Sequence, residues 1–187
     1  MKKYPLQSGF TLIETLIAIF ILTLTIGGLL TLAANGYFSV RYSRNQIAGN
    51  GLLQESLEYI RNSRDTALQQ GSDWGTWLNG LTAAGCTSAA GCLVDAYTSG
   101  DAVRACSTPC ESMIFYPDSG VYGYANSHYP FNGQATPPTT TTYIRTIHVQ
   151  QITSDQIVVS SSVQWLNGKA KKTVTQSIMI ANWSLTS

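Results

Sequence analysis

The chain has 187 residues, with 11 Lys plus Arg against 10 Asp plus Glu, a net charge of +1 and only 11% charged residues. That length bounds one domain of ordinary size plus an appendage. So sparse and balanced a charge load excludes a general nucleic-acid or acidic-substrate surface.

The first segment departs from a globular pattern. Lys2 and Lys3 precede the run FTLIETLIAIFILTLTIGGLLTLAA, Phe10 to Ala34, in which Glu14 is the one charged residue. A membrane-crossing helix needs about 20 apolar residues, and this run exceeds that. Its Thr hydroxyls can bond back to helix carbonyls. The positive-inside bias puts the N-terminus in the cytoplasm and everything after about residue 35 outside. A secretory signal peptide fits poorly. Its apolar core is roughly 7–15 residues and is followed by a small-residue cleavage site, whereas Ser8-Gly9 lies before this run. Glu14 is the anomaly. A bare carboxylate in hydrocarbon costs roughly 2.5 kcal/mol or more, so something must need it or neutralise it.

The stretch MKKYPLQSGFTLIETLIAIFIL resembles the class III leader and helix start of type IV pilins and type II secretion pseudopilins, above all Gly9 to Glu14 with Lys2 and Lys3 upstream. The resemblance implies that a prepilin peptidase cuts between Gly9 and Phe10 on the cytoplasmic face. It implies that Phe10 becomes the new N-terminus and is N-methylated. Gly9 has no side chain to block access to the scissile bond. Cleavage then creates an amine at Phe10 that Glu14 can meet, in its own chain or, better, on a neighbouring subunit. Pairing offsets the burial of both charges in a low-dielectric bundle and fixes axial register between apolar helices. The family often carries a proline some twenty residues into this segment. Here none occurs between Pro5 and Pro109, and Gly27-Gly28 is the candidate loosening element.

Helical signals continue. In GLLQESLEYIRNSRDTALQQG, Leu53, Leu57, Ile60 and Ala67 form a stripe of 3.6-type spacing that faces a core. Glu58, Arg61 and Asp65 lie on the wet side at spacings of three and four, and Gly71 is the expected stop. One helix from about Phe10 to about Gln70 is expected, weakened at Gly49-Asn50-Gly51. Leu52 to Asp65 also resembles the corresponding helix of PilV-type minor pilins.

Residues 71–111 read as an irregular, cysteine-containing loop region with a short helix near Trp74 to Leu81. Trp74 and Trp77 are expected to cap the core, since aromatic side chains bury large areas. Cys86, Cys92, Cys106 and Cys110 have spacings of C-x5-C and C-x3-C, unlike the C-x2-C knuckle of zinc ribbons. Outside the cytoplasm they are expected to be oxidised. Three pairings are possible and sequence does not choose; the local one, Cys86 with Cys92 and Cys106 with Cys110, is favoured.

From Ser112 the period becomes two. SMIFYPDSGVYGYA reads as strand, turn and strand around Asp118-Ser119-Gly120. Pro137-Pro138 and Thr139 to Thr142 read as a connector. YIRTIHVQQIT, QIVVSSSVQWL and KTVTQSIMIANW then read as three strands, separated by Ser154-Asp155 and by Asn167-Gly168-Lys169, a tight-hairpin signal. Ile144, Ile147, Val149 and Ile152, with Val159, Ser161, Val163, Trp165, Val174, Ile178 and Ile180, are expected to supply one buried face. A sheet packed on the second half of a long helix is an α+β architecture. The resemblance implies the same pilin fold: a leader, 1–9; a transmembrane or fibre-core helix, 10–34; and an extracytoplasmic head, 35–187, with its sheet in 112–187.

Catalytic signals are wanting. His128, in a loop, and His148, on a strand, have no nucleophile or carboxylate partner at a recognisable spacing. No phosphate loop or zinc motif occurs. Asp118 reads as a turn residue rather than a calcium ligand. Lys169, Lys171 and Lys172 read as a solvated turn, with contact to DNA, an anionic surface or a neighbouring subunit as the functional alternative. The chain therefore reads as a non-enzyme without cofactor or metal. The resemblance implies a structural subunit, a minor pilin of a type IV pilus or pilus-like filament. Its implied partners are other pilin subunits, the prepilin peptidase, the inner-membrane assembly platform and the membrane, with no nucleic-acid or small-molecule partner indicated. It would lie in the inner membrane before assembly and in a surface pilus or periplasmic pseudopilus after it. A major pilin, a secretion pseudopilin and a single-pass membrane-anchored protein with an extracytoplasmic binding or enzymatic head are the alternatives.

Overall fold

The computed structural model describes residues 9, 11–98, 102–124 and 136–183. The chain divides into two units, Met1–Arg44 and Asn45–Ser187. Helix α1, Leu12–Gln69, enters both. Among the described residues the second unit also holds helix α2, Trp74–Ala83, and seven strands: β1 Cys92–Val94, β2 Val103–Ala105, β3 Ser112–Tyr116, β4 Val121–Gly123, β5 Thr139–Thr153, β6 Gln156–Asn167 and β7 Ala170–Ala181. All pairings are antiparallel, so the architecture is α+β.

Strand β5 is the hub. It pairs with β6 from Ile144 to Thr153. Since Ile144 also faces Ser112 of β3, and Ile147 faces Cys92 of β1, those two strands share the opposite edge of β5 end to end. β7 follows β6 residue for residue from Gln156↔Ala181 to Asn167↔Ala170.

The helical stripe falls where the spacing puts it. Leu52, Leu53, Ser56, Leu57 and Ile60 are buried, and Ala67 is half-buried. The helix runs through Gly49-Asn50-Gly51 without a break, and the two glycines differ in role. A Cβ at Gly49 would lie 3.0 Å from the Trp165 ring, whereas one at Gly51 would meet nothing. Gly49 lets the helix approach the indole closely; Gly51 only weakens the helix. Beyond Gln69 the Gly71 and Ser72 amides donate to the Leu68 and Ala67 carbonyls, 3.1 and 2.9 Å, ending the helix as a Schellman motif does. Glu58 and Arg61 form an exposed ion pair at 2.7 Å, while Asp65 pairs with its neighbour Arg64.

Asp73 caps α2 by accepting from the Thr76 amide at 2.9 Å. Trp74 and Trp77 are buried with ring centroids 5.2 Å apart, closing the core as expected. Their indole N–H groups donate to the Ser154 carbonyl and the Ser63 hydroxyl.

The structure departs from the sequence reading in four places. The region read as loop, 71–111, holds β1 and β2 as well as α2. Cys92, Leu93 and Val94 are all buried, and so short a strand shows no alternation to read. Thr139 to Thr142 begin β5 rather than connect to it; Thr139 and Thr140 pair with Phe115 and Ile114, as their β-branched side chains allow. The inner face of β5 is Tyr143, Arg145, Ile147 and Val149, with Ile144 turned away and Ile152 exposed at a bulge. Ile144 and Ile147 have opposite parity, so one of them had to leave the core. Last, the Asn-Gly signal finds the β6–β7 hairpin one residue early. Asn167 and Ala170 close the ladder, and Gly168 (φ +64°) with Lys169 makes the turn. Positive φ at the first turn residue alone is the type II′ pattern.

Arg145 is the unexpected member of the core. It is 1% exposed. Nη1 donates to Glu55 Oε2 at 2.6 Å and to the Leu52 carbonyl at 3.0 Å, and Nη2 donates to the Val94 carbonyl. One guanidinium thus ties β5 to α1 and β1. Burial works against its charge, yet Tyr124 and Glu55 beside it together outweigh burial and hold its pKa above the ordinary value. Ser56 and Ser161, 2.8 Å apart and fully buried, make a second polar tie between helix and sheet.

Breaking a buried pair from one side leaves an uncompensated charge. Glu55→Met is therefore expected to destabilise the second unit by about 3–5 kcal/mol, and Glu55→Met with Arg145→Met together by clearly less than the sum of the two single changes. Denaturant unfolding of the full chain in detergent, run as a double-mutant cycle, measures this. In the same assay Gly51→Ala is expected to stabilise by about 0.5–1 kcal/mol. Gly49→Val is expected to destabilise by about 1–3 kcal/mol through overpacking against Trp165.

Candidate membrane and assembly segment

Between Leu12 and Ala34 the helix is apolar on every side and every side chain is exposed; Phe20, for example, is 63% exposed. The stretch rises about 33 Å at 1.5 Å per residue, against about 30 Å of bilayer hydrocarbon. A helix without a polar face requires lipid or other apolar helices around it rather than water. By length and composition α1 is able to cross a membrane.

Its polar groups are handled internally, with one exception. Thr15, Thr23, Thr25 and Thr31 donate their hydroxyls to the carbonyls of Leu12, Phe20, Leu22 and Gly27 at 2.8, 2.9, 2.9 and 3.0 Å. The side-chain carboxylate of Glu14 meets no partner among the described residues. Its amide donates to the Thr11 hydroxyl at 3.3 Å and the Thr11 carbonyl at 3.1 Å. Thr11-Leu12-Ile13-Glu14 is thus the start of a capping box, with the acid in the first turn where the helix dipole favours it. The T-x-x-E spacing was legible in the sequence, but the reading took Glu14 only as a charge and passed over Thr11.

The other sequence-predicted residues distribute as follows. Gly9 is exposed, and a Cβ there would meet nothing within 4 Å, so no contact among the described residues calls for glycine. Phe10, with which it forms the expected scissile bond, and His128 lie outside the described residues. The helix passes through Gly27-Gly28 unbroken. Past the apolar run come Tyr37, Phe38, Arg41, Tyr42 and Arg44, all exposed, with the Arg41 guanidinium 5.7 Å from the centroid of the Tyr37 ring. The sequence reading passed over these residues too.

In the second unit the disulfides join Cys86 to Cys92 and Cys106 to Cys110. The first links the end of α2 to β1, and the Cys86 carbonyl accepts from the Val149 amide of β5 at 2.9 Å. Gly91, at φ +73°, lets that link close: a Cβ there would lie 2.7 Å from the Ile147 carbonyl oxygen. The second bridge spans the loop between β2 and β3, where Cys110 Sγ accepts from the Thr146 hydroxyl at 3.3 Å.

Asp118 accepts from the Thr136 amide at 3.1 Å. His148 stands on the outer face of β5, opposite Ser160. Lys169, Lys171 and Lys172 are exposed around the β6–β7 turn. Among the described residues, no three or more His, Cys, Asp or Glu side chains gather in a way that would hold a metal ion. A cleft of about 330 Å³ lies beside α1, lined by Leu52, Glu55, Tyr97 and Tyr122 among others. Its carboxylate, Glu55, is already held by Arg145. Tyr97 has its pKa raised, by burial and then by the Glu55 charge, so it stays a protonated phenol there.

The family pattern described as the prokaryotic N-terminal methylation motif matches residues 5–34. No curated relative and no solved structure matches the chain. The matched motif, on a helix apolar all round, supports the type IV pilin and pseudopilin family and points to a structural, pilin-like or pseudopilin subunit that is anchored in a membrane before assembly.

Proposed function

We propose that the chain is a prepilin that matures into a minor pilin of a type IV pilus or pilus-like filament. The prepilin peptidase removes residues 1–9 by cutting between Gly9 and Phe10, and Phe10 is N-methylated. Before assembly the chain spans the inner membrane once, N-terminus in the cytoplasm, at the assembly platform. During assembly residues 10–34 leave the lipid and stack with neighbouring subunits, while residues 35–187 cover the outside.

One observation carries this reading: between Leu12 and Ala34, where all four Thr hydroxyls are satisfied by carbonyls of their own helix, the Glu14 carboxylate is the one polar side chain without a partner among the described residues. Cleavage would create the missing cation at Phe10 of a neighbouring subunit. Apolar helices in lipid gain little from hydrophobicity itself, so association rests on van der Waals packing. A charge-assisted pair adds strength and sets the axial register. The minor-pilin assignment rests on the likeness of Leu52 to Asp65 to that group. The methylation motif, which belongs to structural subunits, supports a role without catalysis.

Mass spectrometry of the chain from filament-bearing cells is expected to find N-methylated Phe10 as the first residue. Gly9→Val is expected to leave Lys2 and Lys3 attached. Glu14→Ala is expected to insert normally but to lose incorporation into filaments by about a hundredfold or more, the scale of unpairing a buried charge. A filament subunit that retains Lys2 and Lys3, or normal incorporation of Glu14→Ala, would refute the mechanism.

A further inference from the structure

We propose that Tyr37, Phe38, Arg41 and Arg44 form a collar that binds the headgroup phosphates of anionic phospholipids, at the bilayer face reached by the C-terminal end of the apolar segment. The proposal rests on the reading that residues 10–34 cross a bilayer.

Position is the first argument. Leu12 to Ala34 fills the hydrocarbon, and Tyr37 and Phe38 follow within about 6 Å along the axis. That is the headgroup level, where amphipathic aromatic rings concentrate. Arg41 is one turn further on. Helical side chains lean toward the N-terminus, and long cationic ones snorkel along apolar surface. The Arg41 guanidinium lies back over the Tyr37 ring, 5.7 Å from its centroid, on the bilayer side of its own Cα. Tyr37, Arg41 and Arg44 recur at spacings of four and three, so they form one stripe, and Phe38 packs edge-on to Tyr37 at 6.1 Å.

Charge is the second argument. From Thr15 to Gln54 the sequence holds no Asp or Glu. Neither Arg41 nor Arg44 therefore has a carboxylate within helical reach, and both are exposed. A second copy of this chain stacked at a similar height offers none either, since its own segment is equally free of acid. Lipid phosphate is the anion that occurs at this depth, and it attracts each nearby cation by roughly a fivefold preference.

The test uses the full chain in proteoliposomes and reads the boundary-lipid preference for spin-labelled phosphatidylglycerol over spin-labelled phosphatidylcholine by electron spin resonance. Lys2→Gln/Lys3→Gln removes the cations at the other end. In that background a severalfold preference for phosphatidylglycerol is expected to persist, to weaken in 0.5 M salt, and to vanish in Arg41→Gln/Arg44→Gln. Circular dichroism identical to the parent confirms that these exposed changes leave the fold intact. A preference that survives Arg41→Gln/Arg44→Gln would overturn the proposal. So would loss of chain–chain cross-linking in that variant with lipid preference unchanged, which would assign the arginines to a protein neighbour. Absence of any motionally restricted lipid would instead sink the membrane-span reading itself.

Discussion

A carboxylate on a helix that is apolar all round sets the terms for the first unit. Water, lipid and a bundle of like helices each treat Glu14 differently. In water the carboxylate is content, but the exposed Leu, Ile and Phe side chains around it are not. In lipid or a bundle the apolar side chains are content, and the carboxylate needs a cation or a proton. The four Thr hydroxyls show how completely the rest of the segment is adapted to an environment without water: each is folded back onto a carbonyl of its own helix. The same economy was open to position 14 and is absent there. Thr11 and the helix dipole favour an acid in the first turn, yet an exposed cap of this kind contributes only about 1 kcal/mol, less than the burial of a charge costs.

In the second unit the physical problem is reversed. Here α1 has one buried stripe, and the sheet must be brought close enough to cover it. Gly49 lowers the helix onto Trp165. Trp165 in turn lies 6.1 Å from Tyr143, which stands 5.6 Å from Tyr122. The stack therefore runs from the helix through β6 and β5 to β4. From β5, Arg145 fills the gap toward helix and β1 with a group that bonds to both. The disulfides stiffen the part of the chain with the fewest long strands: Cys86–Cys92 holds the three-residue β1 against β5. A strand that short gains little from its ladder alone.

Much of this was legible in the residues, and what was not has identifiable causes. The stripe Leu53, Leu57, Ile60, the Gly71 stop after Gln70, the short helix from Trp74 and the β6–β7 hairpin all announced themselves, because each depends on local spacing or local turn chemistry. The motif at Gly9 to Glu14 was legible for a different reason, being a pattern tied to processing rather than to packing. Other features were not. β1 is buried on both sides and too short to show a period. The inward face of β5 could not be read because Ile144 and Ile147 compete for it, and the winner depends on Tyr143 meeting Trp165 across two strands. Arg145 was invisible because an arginine at an inward position is a violation that only long-range partners, Glu55 and the Leu52 and Val94 carbonyls, make tolerable.

The two acids that bracket the acid-free interval of α1 give the clearest statement of how the helix is divided. Glu14 and Glu55 stand on one helix, each facing an environment that penalises an unpaired charge. Glu55 is answered within the fold: the sheet delivers Arg145 to it at 2.6 Å, and folding alone completes the pair. Glu14 has no such answer among the described residues, and no Lys or Arg follows it until Arg41. On a helix, side chains meet at spacings of three and four, which puts Arg41 far out of reach. A carboxylate kept where folding does not neutralise it makes sense if a later step does so. Under the proposed cleavage the new amine at Phe10 would be the nearest cation, and an arrangement that withholds it until residues 1–9 are gone would couple assembly to processing.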